Sequence, residues 1–191
     1  ALISYSATFA ITFLLSLYLI YIKGLEPDQA GLIMLAQPAV MTIFSPYTGK
    51  LSDRIEPRFV ATAGMALTFV AVLAFVFLSG ETSLFFIVAC LITLGLGLAL
   101  FTSPNTNAIM SSVLPRHYGI GSATLGTMRL VGQVGSMSFA MMVFSFYLGA
   151  AEISPAYYPQ FLAAVRVAFA VSSLLCLLGI FASLARGKLR Q

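Results

Sequence analysis

Ten residues, 49–58, read G-K-L-S-D-R-I-E-P-R and hold Lys50, Asp53, Arg54, Glu56 and Arg58. That is five of the chain's 16 charged residues, ten Lys and Arg plus six Asp and Glu. On either side, residues 29–49 and 59–80 carry no charge at all. A bilayer core takes about 20 apolar residues per helix, and ionisable side chains are costly inside it. The two uncharged runs therefore read as membrane-spanning helices, with the charge knot as the tight turn between them. Three of the five charges are basic, which places the turn on the cytoplasmic side.

Within the knot each residue type has a local reason. Gly49 lets two helices approach closely, and Asp53 can pair with a cation or accept from backbone N–H groups. Arg54 and Arg58 can hydrogen-bond the open carbonyls at neighbouring helix C-termini. Pro57 suits the first turn of the next helix, where a missing N–H costs nothing. A generic positive-inside loop is the plainer alternative.

The rest of the chain repeats the pattern. With 60% hydrophobic and 8% charged residues, and a mean hydropathy of +0.99, it is not a soluble domain. The net charge of +4 sits at the ends of apolar runs rather than on one polar face, so it reflects orientation in a membrane and not nucleic-acid binding. The opening run lacks a basic flank and is long enough to span, unlike a cleavable signal peptide. It starts at residue 1 with no cytoplasmic flank, as expected of a piece of a longer protein. Cys90 and Cys176 both fall inside predicted spans and indicate no disulfide framework. A single His leaves no zinc or haem constellation.

Six spans are predicted, at residues 1–22, 29–49, 59–79, 84–112, 118–149 and 160–185, forming one bundle over 1–191. In the first, Tyr5, Thr8, Thr12 and Ser16 fall on one helical face, while Phe9, Phe13, Leu14 and Leu17 cover others. That hydroxyl stripe either lines a cavity or bonds a neighbouring helix. Tyr18 and Tyr21 sit where an aromatic belt belongs. In the second span, Gln37-Pro38 lies about 12 Å from Gln29; the proline predicts a kink, and Gln37 should face protein or water. The third span, interrupted only by Thr62, Gly64 and Thr68, reads as a helix on the lipid side.

The fourth span carries Gly95 and Gly97 for close packing. Its polar end, F-T-S-P-N-T-N, places Pro104, Asn105 and Asn107 against the bundle or an aqueous opening. His117 reads as an ordinary loop residue. In the fifth span Ser122, Gly126, Arg129, Gln133, Ser136 and Ala140 follow helical steps and form one small-and-polar face. Arg129 lies about 17 Å along that helix, where an Arg costs from about 2.5 kcal/mol upward without a partner or water. Two readings stay open: a cavity or gating role, or an Arg that snorkels to headgroups or pairs with Asp53 or Glu56. Arg166, near the outer end of the last span, is within reach of Glu152 or water.

Charge counting orients the six spans. The assigned cytoplasmic segments hold seven basic residues (Lys50, Arg54, Arg58, Arg116, Arg186, Lys188 and Arg190), and the outer loops hold only Lys23. Both ends are therefore expected in the cytoplasm. An intramembrane protease is disfavoured by the lack of G-x-S-x-G or an embedded Asp pair. No selectivity-filter segment suggests a channel, and no long cytoplasmic helix suggests coupling to an ATPase.

Three stretches carry a resemblance. G-K-L-S-D-R-I-E-P-R, F-T-S-P-N-T-N-A-I-M and G-T-M-R-L-V-G-Q-V-G-S together resemble the last six helices of a fourteen-span drug:proton antiporter of the major facilitator superfamily. The loop motif of that superfamily, roughly G-x-x-x-D-R-x-G-R-R, is matched by Gly49, Asp53, Arg54 and Arg58; Glu56 replaces the usual Gly, and Pro57 a basic residue. The resemblance implies an all-α integral membrane fold, six helices forming one half of a transporter in the plasma membrane. It implies a missing N-terminal half as partner, a small-molecule substrate, alternating access, and a proton gradient in place of any cofactor. Neither an enzymatic reaction nor a nucleic-acid partner is implied.

In such a half the first, second, fourth and fifth helices line the cavity, which makes Thr12, Gln37, Asn105, Ser122, Arg129 and Gln133 cavity candidates. Asp53, Arg54 and Arg58 would form a cytoplasmic latch with the other half. The carboxylate usual for proton coupling is absent from every span and would have to reside in the missing half. A non-transporting membrane scaffold or sensor with a degenerate transporter fold is the alternative from another class.

Overall fold

A computed structural model describes residues 2–149 and 153–184, with the side chains of residues 2, 3 and 53 outside the description. Helix α1 (Leu2–Leu17) runs into a widened π-type turn at Tyr18–Ile22; then follow α2 (Pro27–Met34), α3 (Ala36–Arg54), α4 (Pro57–Phe75), α5 (Leu84–Ser111), α6 (Tyr118–Leu148) and α7 (Tyr158–Leu184). Among the described residues there is no strand. Six helical stretches are long and apolar enough to cross a membrane, α2 and α3 together making the second.

The break between α2 and α3 falls at Leu35, three residues before Pro38. Without an N–H, Pro38 cannot bond the carbonyl of Met34, and the ladder resumes only when the Ala39 N–H reaches Leu35 O at 3.0 Å. Other ends follow local chemistry. Pro27 and Pro57 open α2 and α4 at their first turns, and Ser83 Oγ caps α5 by accepting from the Phe86 N–H at 3.3 Å. Gly149, at φ +59°, ends α6 in a conformation that other residues rarely adopt.

The helices pack in the order α3, α5, α4, α7, α1, α6, each against the next, with α6 also touching α7 and α5. Aromatic and aliphatic side chains fill the centre: Leu14 and Leu15 of α1, Phe75 of α4, Phe161 and Phe169 of α7. The Phe75 and Phe169 rings meet at 5.5 Å between centroids. Cys90 of α5 and Cys176 of α7 are buried and free.

The three interruptions of the third span are its contact points. An alanine Cβ at Gly64 would stand 2.6 Å from Phe101 N, and one at Gly97 would stand 2.6 Å from Thr68 Oγ1. Helices α4 and α5 therefore touch backbone to backbone. Gly95 is as tightly held against Gln37 O of α3, 2.5 Å from such a Cβ. Thr62 Oγ1 lies 3.0 Å from Ser183 Oγ, joining α4 to α7. The opposite face of α4, with Phe59, Val70 and Leu73, is exposed and apolar, and so is Phe77 in the turn that follows.

At the end remote from the charged turn, three donors converge on successive carbonyls of the turn that follows α4. Arg166 Nε donates to Leu78 O at 2.8 Å, Tyr18 Oη to Ser79 O at 2.6 Å, and Lys23 Nζ to Gly80 O at 2.7 Å. Tyr18 is fully buried here rather than placed in a belt, because its hydroxyl finds a carbonyl inside; Tyr21 is exposed. Arg166 takes a backbone partner instead of waiting on Glu152, which lies outside the described residues, as does the basic tail Arg186, Lys188 and Arg190.

Candidate functional site

The charged turn is tighter than the span limits imply. Helix α3 continues through Gly49, Lys50 and Asp53 to Arg54, only Ile55 and Glu56 are non-helical, and α4 starts at Pro57. Lys, Arg and Leu are good helix formers, so the charges mark where the membrane ends and not where the helix ends. Gly49 faces α5, where an added Cβ would lie 3.1 Å from Ser103 Oγ. One residue earlier, Thr48 Oγ1 donates to both Ser45 O and Ala99 O at 2.9 Å, pinning α3 to α5.

Arg58 does not reach a helix C-terminus. Its Nε sits 3.3 Å from Glu56 Oε2, and its guanidinium carbon lies 4.6 Å from the centre of the Phe59 ring. The ion pair is not aligned as a hydrogen bond, and Glu56 Oε1 and Arg58 Nε are buried without one. Glu56, the departure from the usual loop motif, is thus what holds Arg58 within its own turn. Arg54 is exposed, and the Asp53 side chain lies outside the described residues.

The second candidate region is the open side of α1 and α6. Of the most apolar 18-residue stretch in each span, 6% is buried in the second and 22% in the fifth, against 39–44% in the others. Helices α3 and α6 are thus the least covered, and α1 leaves Phe9 and Thr12 exposed beside α6. On α6, Ser122 and Arg129 are exposed and Gln133 is half-buried. The Arg129 guanidinium carbon lies 5.1 Å from the centre of the half-buried Tyr5 ring on α1. Among the described residues Arg129 makes no hydrogen bond or ion pair, so neither Glu56 nor a backbone group neutralises it.

The predicted faces are divided by this packing. On α6 the small-and-polar row is open at Ser122 and Arg129 but closes at Ser136 and Ala140, which are buried. Ser136 Oγ accepts from the Ala10 N–H at 2.9 Å, which locks that half of the row onto α1. On α1 the hydroxyl row splits the same way: Thr12 is exposed, while Thr8 is buried and returns its hydroxyl to Ser4 O at 2.8 Å. Ser16 does likewise with Phe13 O at 3.1 Å. A helical row is one face of a cylinder, and crossing helices cover only part of it.

Gln37 is half-buried at the α2–α3 break, where its carbonyl meets Gly95. Asn105 is 2% exposed and Pro104 is also buried, so of the two placements left by the sequence they take the bundle interior; Asn107 is exposed. Thr12, Ser122, Arg129 and Gln133 share the α1–α6 side, and Gln37 and Asn105 stand on the α3–α5 side. Tyr5 as the partner of Arg129 and Glu56 as the partner of Arg58 are additions from the structure. The second pair was visible as opposite charges two residues apart, the first only through helix packing. Among the described residues no group of three His, Cys, Asp or Glu could hold a metal ion.

Comparison with known proteins adds an independent line. A family model described as Major Facilitator Superfamily matches residues 1–189. The riboflavin transporter RibZ of Clostridioides difficile is 33% identical over 137 residues, 72% of this chain and 29% of that protein. The multidrug resistance protein Stp of Mycobacterium tuberculosis is 28% identical over 136 residues, 71% of this chain and 25% of its own length. The lincomycin resistance protein LmrB of Listeria monocytogenes is 27% identical over 135 residues, 70% of this chain and 29% of its own. The matched part of the chain thus spans less than a third of each of these relatives.

Proposed function

The chain belongs to the major facilitator superfamily, and from that premise we propose that it is the C-terminal half of a secondary transporter working by alternating access. In this reading α1, α3, α5 and α6 form one wall of a central pathway, and a second six-helix bundle forms the other. Transport is the export of drugs or other small molecules, driven by a proton gradient across the plasma membrane. Both ends of the chain are cytoplasmic, a reading supported by seven basic residues on the charged-turn side against one on the other.

Arg129 carries the proposal. It is an exposed cation well inside a membrane-spanning helix, touching a tyrosine face and, among the described residues, no carboxylate. Left to hydrocarbon it would cost about 2.5 kcal/mol or more. Facing a water-filled cleft, an acidic residue of the other half, or the substrate, it costs far less, and Thr12, Ser122 and Gln133 extend the same polar wall. Among the described residues no carboxylate is embedded in a span, and in this reading the proton-carrying group belongs to the other half.

The relatives named for riboflavin transport and for lincomycin and multidrug resistance set the compounds to try. Vesicle flux with and without a pH gradient tests the proposal: gradient-driven movement by the whole transporter and none by the 191-residue chain alone is the expected outcome. Binding without flux would favour the scaffold or sensor, and flux by the isolated chain as a monomer would overturn the two-half pathway.

A further inference from the structure

The charged-turn end of the bundle holds a cavity that the transport reading does not use. Between α5 and α6, which are joined by the turn Pro115–His117, lies a space of about 410 Å3. That is within the range of small-ligand sites, about 300–1,000 Å3. Ile109, Val113, Ile120, Leu125 and Met128 make its wall. The hydroxyl of Thr124, also in the wall, is spent on Ile120 O at 2.9 Å. The interior therefore suits hydrocarbon and little else.

The rim has the opposite character. Arg116 and His117 are both exposed, and Arg116 Nε donates to His117 Nε2 at 3.0 Å. That bond requires Nε2 to be unprotonated, so Arg116 carries the positive charge at the mouth. Among the described residues no carboxylate pairs with it. The slot is open to its surroundings, as the 67% exposure of Ile120 indicates. It lies where α5 ends and α6 begins, between two membrane-length helices, and in the proposed topology that is where a bilayer changes from acyl chain to headgroup.

We infer that this slot holds one acyl chain of an anionic phospholipid, with the lipid phosphate on the Arg116 guanidinium. The apolar wall matches the chain, and the rim matches the headgroup in charge and in depth. A guanidinium takes a phosphate through two parallel N–H···O bonds, and with Nε turned to His117 the terminal nitrogens are the ones available. Basic pockets between membrane helices are a general means of holding anionic headgroups. A zwitterionic lipid offers the same chain but no net charge for Arg116.

Native mass spectrometry of the full-length protein, released from an equal mixture of phosphatidylcholine and phosphatidylglycerol, tests this. One phosphatidylglycerol should be retained in preference. Arg116→Ala should lower that preference about fivefold, the effect of one cation facing an anionic leaflet. Thr124→Phe, at an exposed position, should fill the slot and remove the lipid although Arg116 remains. Gly121→Val, whose side chain would press on Val113, is a second filling variant, and melting curves verify that each variant folds. Glycerol phosphate, a headgroup without a chain, should not displace the lipid. Equal retention of the two lipids, retention unchanged in both filling variants, displacement by glycerol phosphate, or no retained lipid would each overturn the site.

Discussion

The guanidinium of Arg129 lies over the ring of Tyr5, 5.1 Å from its centroid, and so joins the least buried part of α6 to α1. A cation over an aromatic face is worth about 0.5–2 kcal/mol, too little to make an Arg at home in hydrocarbon but enough to aim it. In the whole transporter, Arg129→Gln should reduce flux more than Tyr5→Leu does, because the first removes the charge and the second only its support. Tyr5→Phe keeps the ring and should stay near the parent rate. Equal flux in Arg129→Gln and the parent would remove Arg129 from the pathway.

The backbone contact of α4 with α5 predicts an asymmetric response to adding one methyl group. Gly64→Ala places a Cβ 2.6 Å from Phe101 N and should cost about 1–3 kcal/mol through overpacking. Gly126→Ala meets nothing within 4 Å, and as a better helix former should leave stability unchanged or slightly raised. Thermal melting in detergent compares the two, and equal midpoints would mean that α4 and α5 are further apart than described.

The Glu56–Arg58 pair makes the loop motif testable apart from the fold. A partly exposed ion pair contributes about 0–1 kcal/mol, so Glu56→Gly should hardly move the melting midpoint while freeing Arg58. Asp53→Asn and Arg58→Ala should lower transport but leave membrane insertion largely intact. Parent-like flux in all three variants would reduce the turn to a topology signal.

At the other end, Arg166→Gln should destabilise the bundle by about 1.5–3 kcal/mol, since it removes a charged donor from the Leu78 carbonyl. Tyr18→Phe should cost about 0.5–1.5 kcal/mol through loss of the bond to Ser79 O. The two sites cap adjacent carbonyls, so the double variant should fall short of the sum. Unaltered midpoints in both single variants would show that water replaces these donors without penalty.

Six apolar runs broken by charge were enough to read the spans, because burying a Lys or Asp in hydrocarbon is dear at any position. The direction in which each helix looks was less legible. Tyr18 has the composition and place of a belt residue, and only the carbonyl of Ser79 beside it explains its burial. Ser136 and Ser122 lie on the same helical row, yet α1 crosses over one and not the other. In the sequence Gly64 is a mere interruption of an apolar run, and only Gly97 packed opposite it gives it a role. These outcomes depend on which helices meet, and no periodicity within one helix encodes that.

The most direct test of the proposed pathway is state-dependent labelling of Thr12→Cys and Ser122→Cys in the whole transporter with a membrane-impermeant thiol reagent. Cys90 and Cys176 are buried and free, so they should stay unlabelled in the folded protein. Both introduced thiols should react, with rates that change in opposite senses from the two sides of the membrane when the proton gradient or substrate is applied. A thiol at Val70, on the exposed apolar face of α4 well inside the span, should not react. No labelling of Thr12→Cys and Ser122→Cys, or labelling at rates indifferent to gradient and substrate, would contradict a pathway wall that is open to one side at a time.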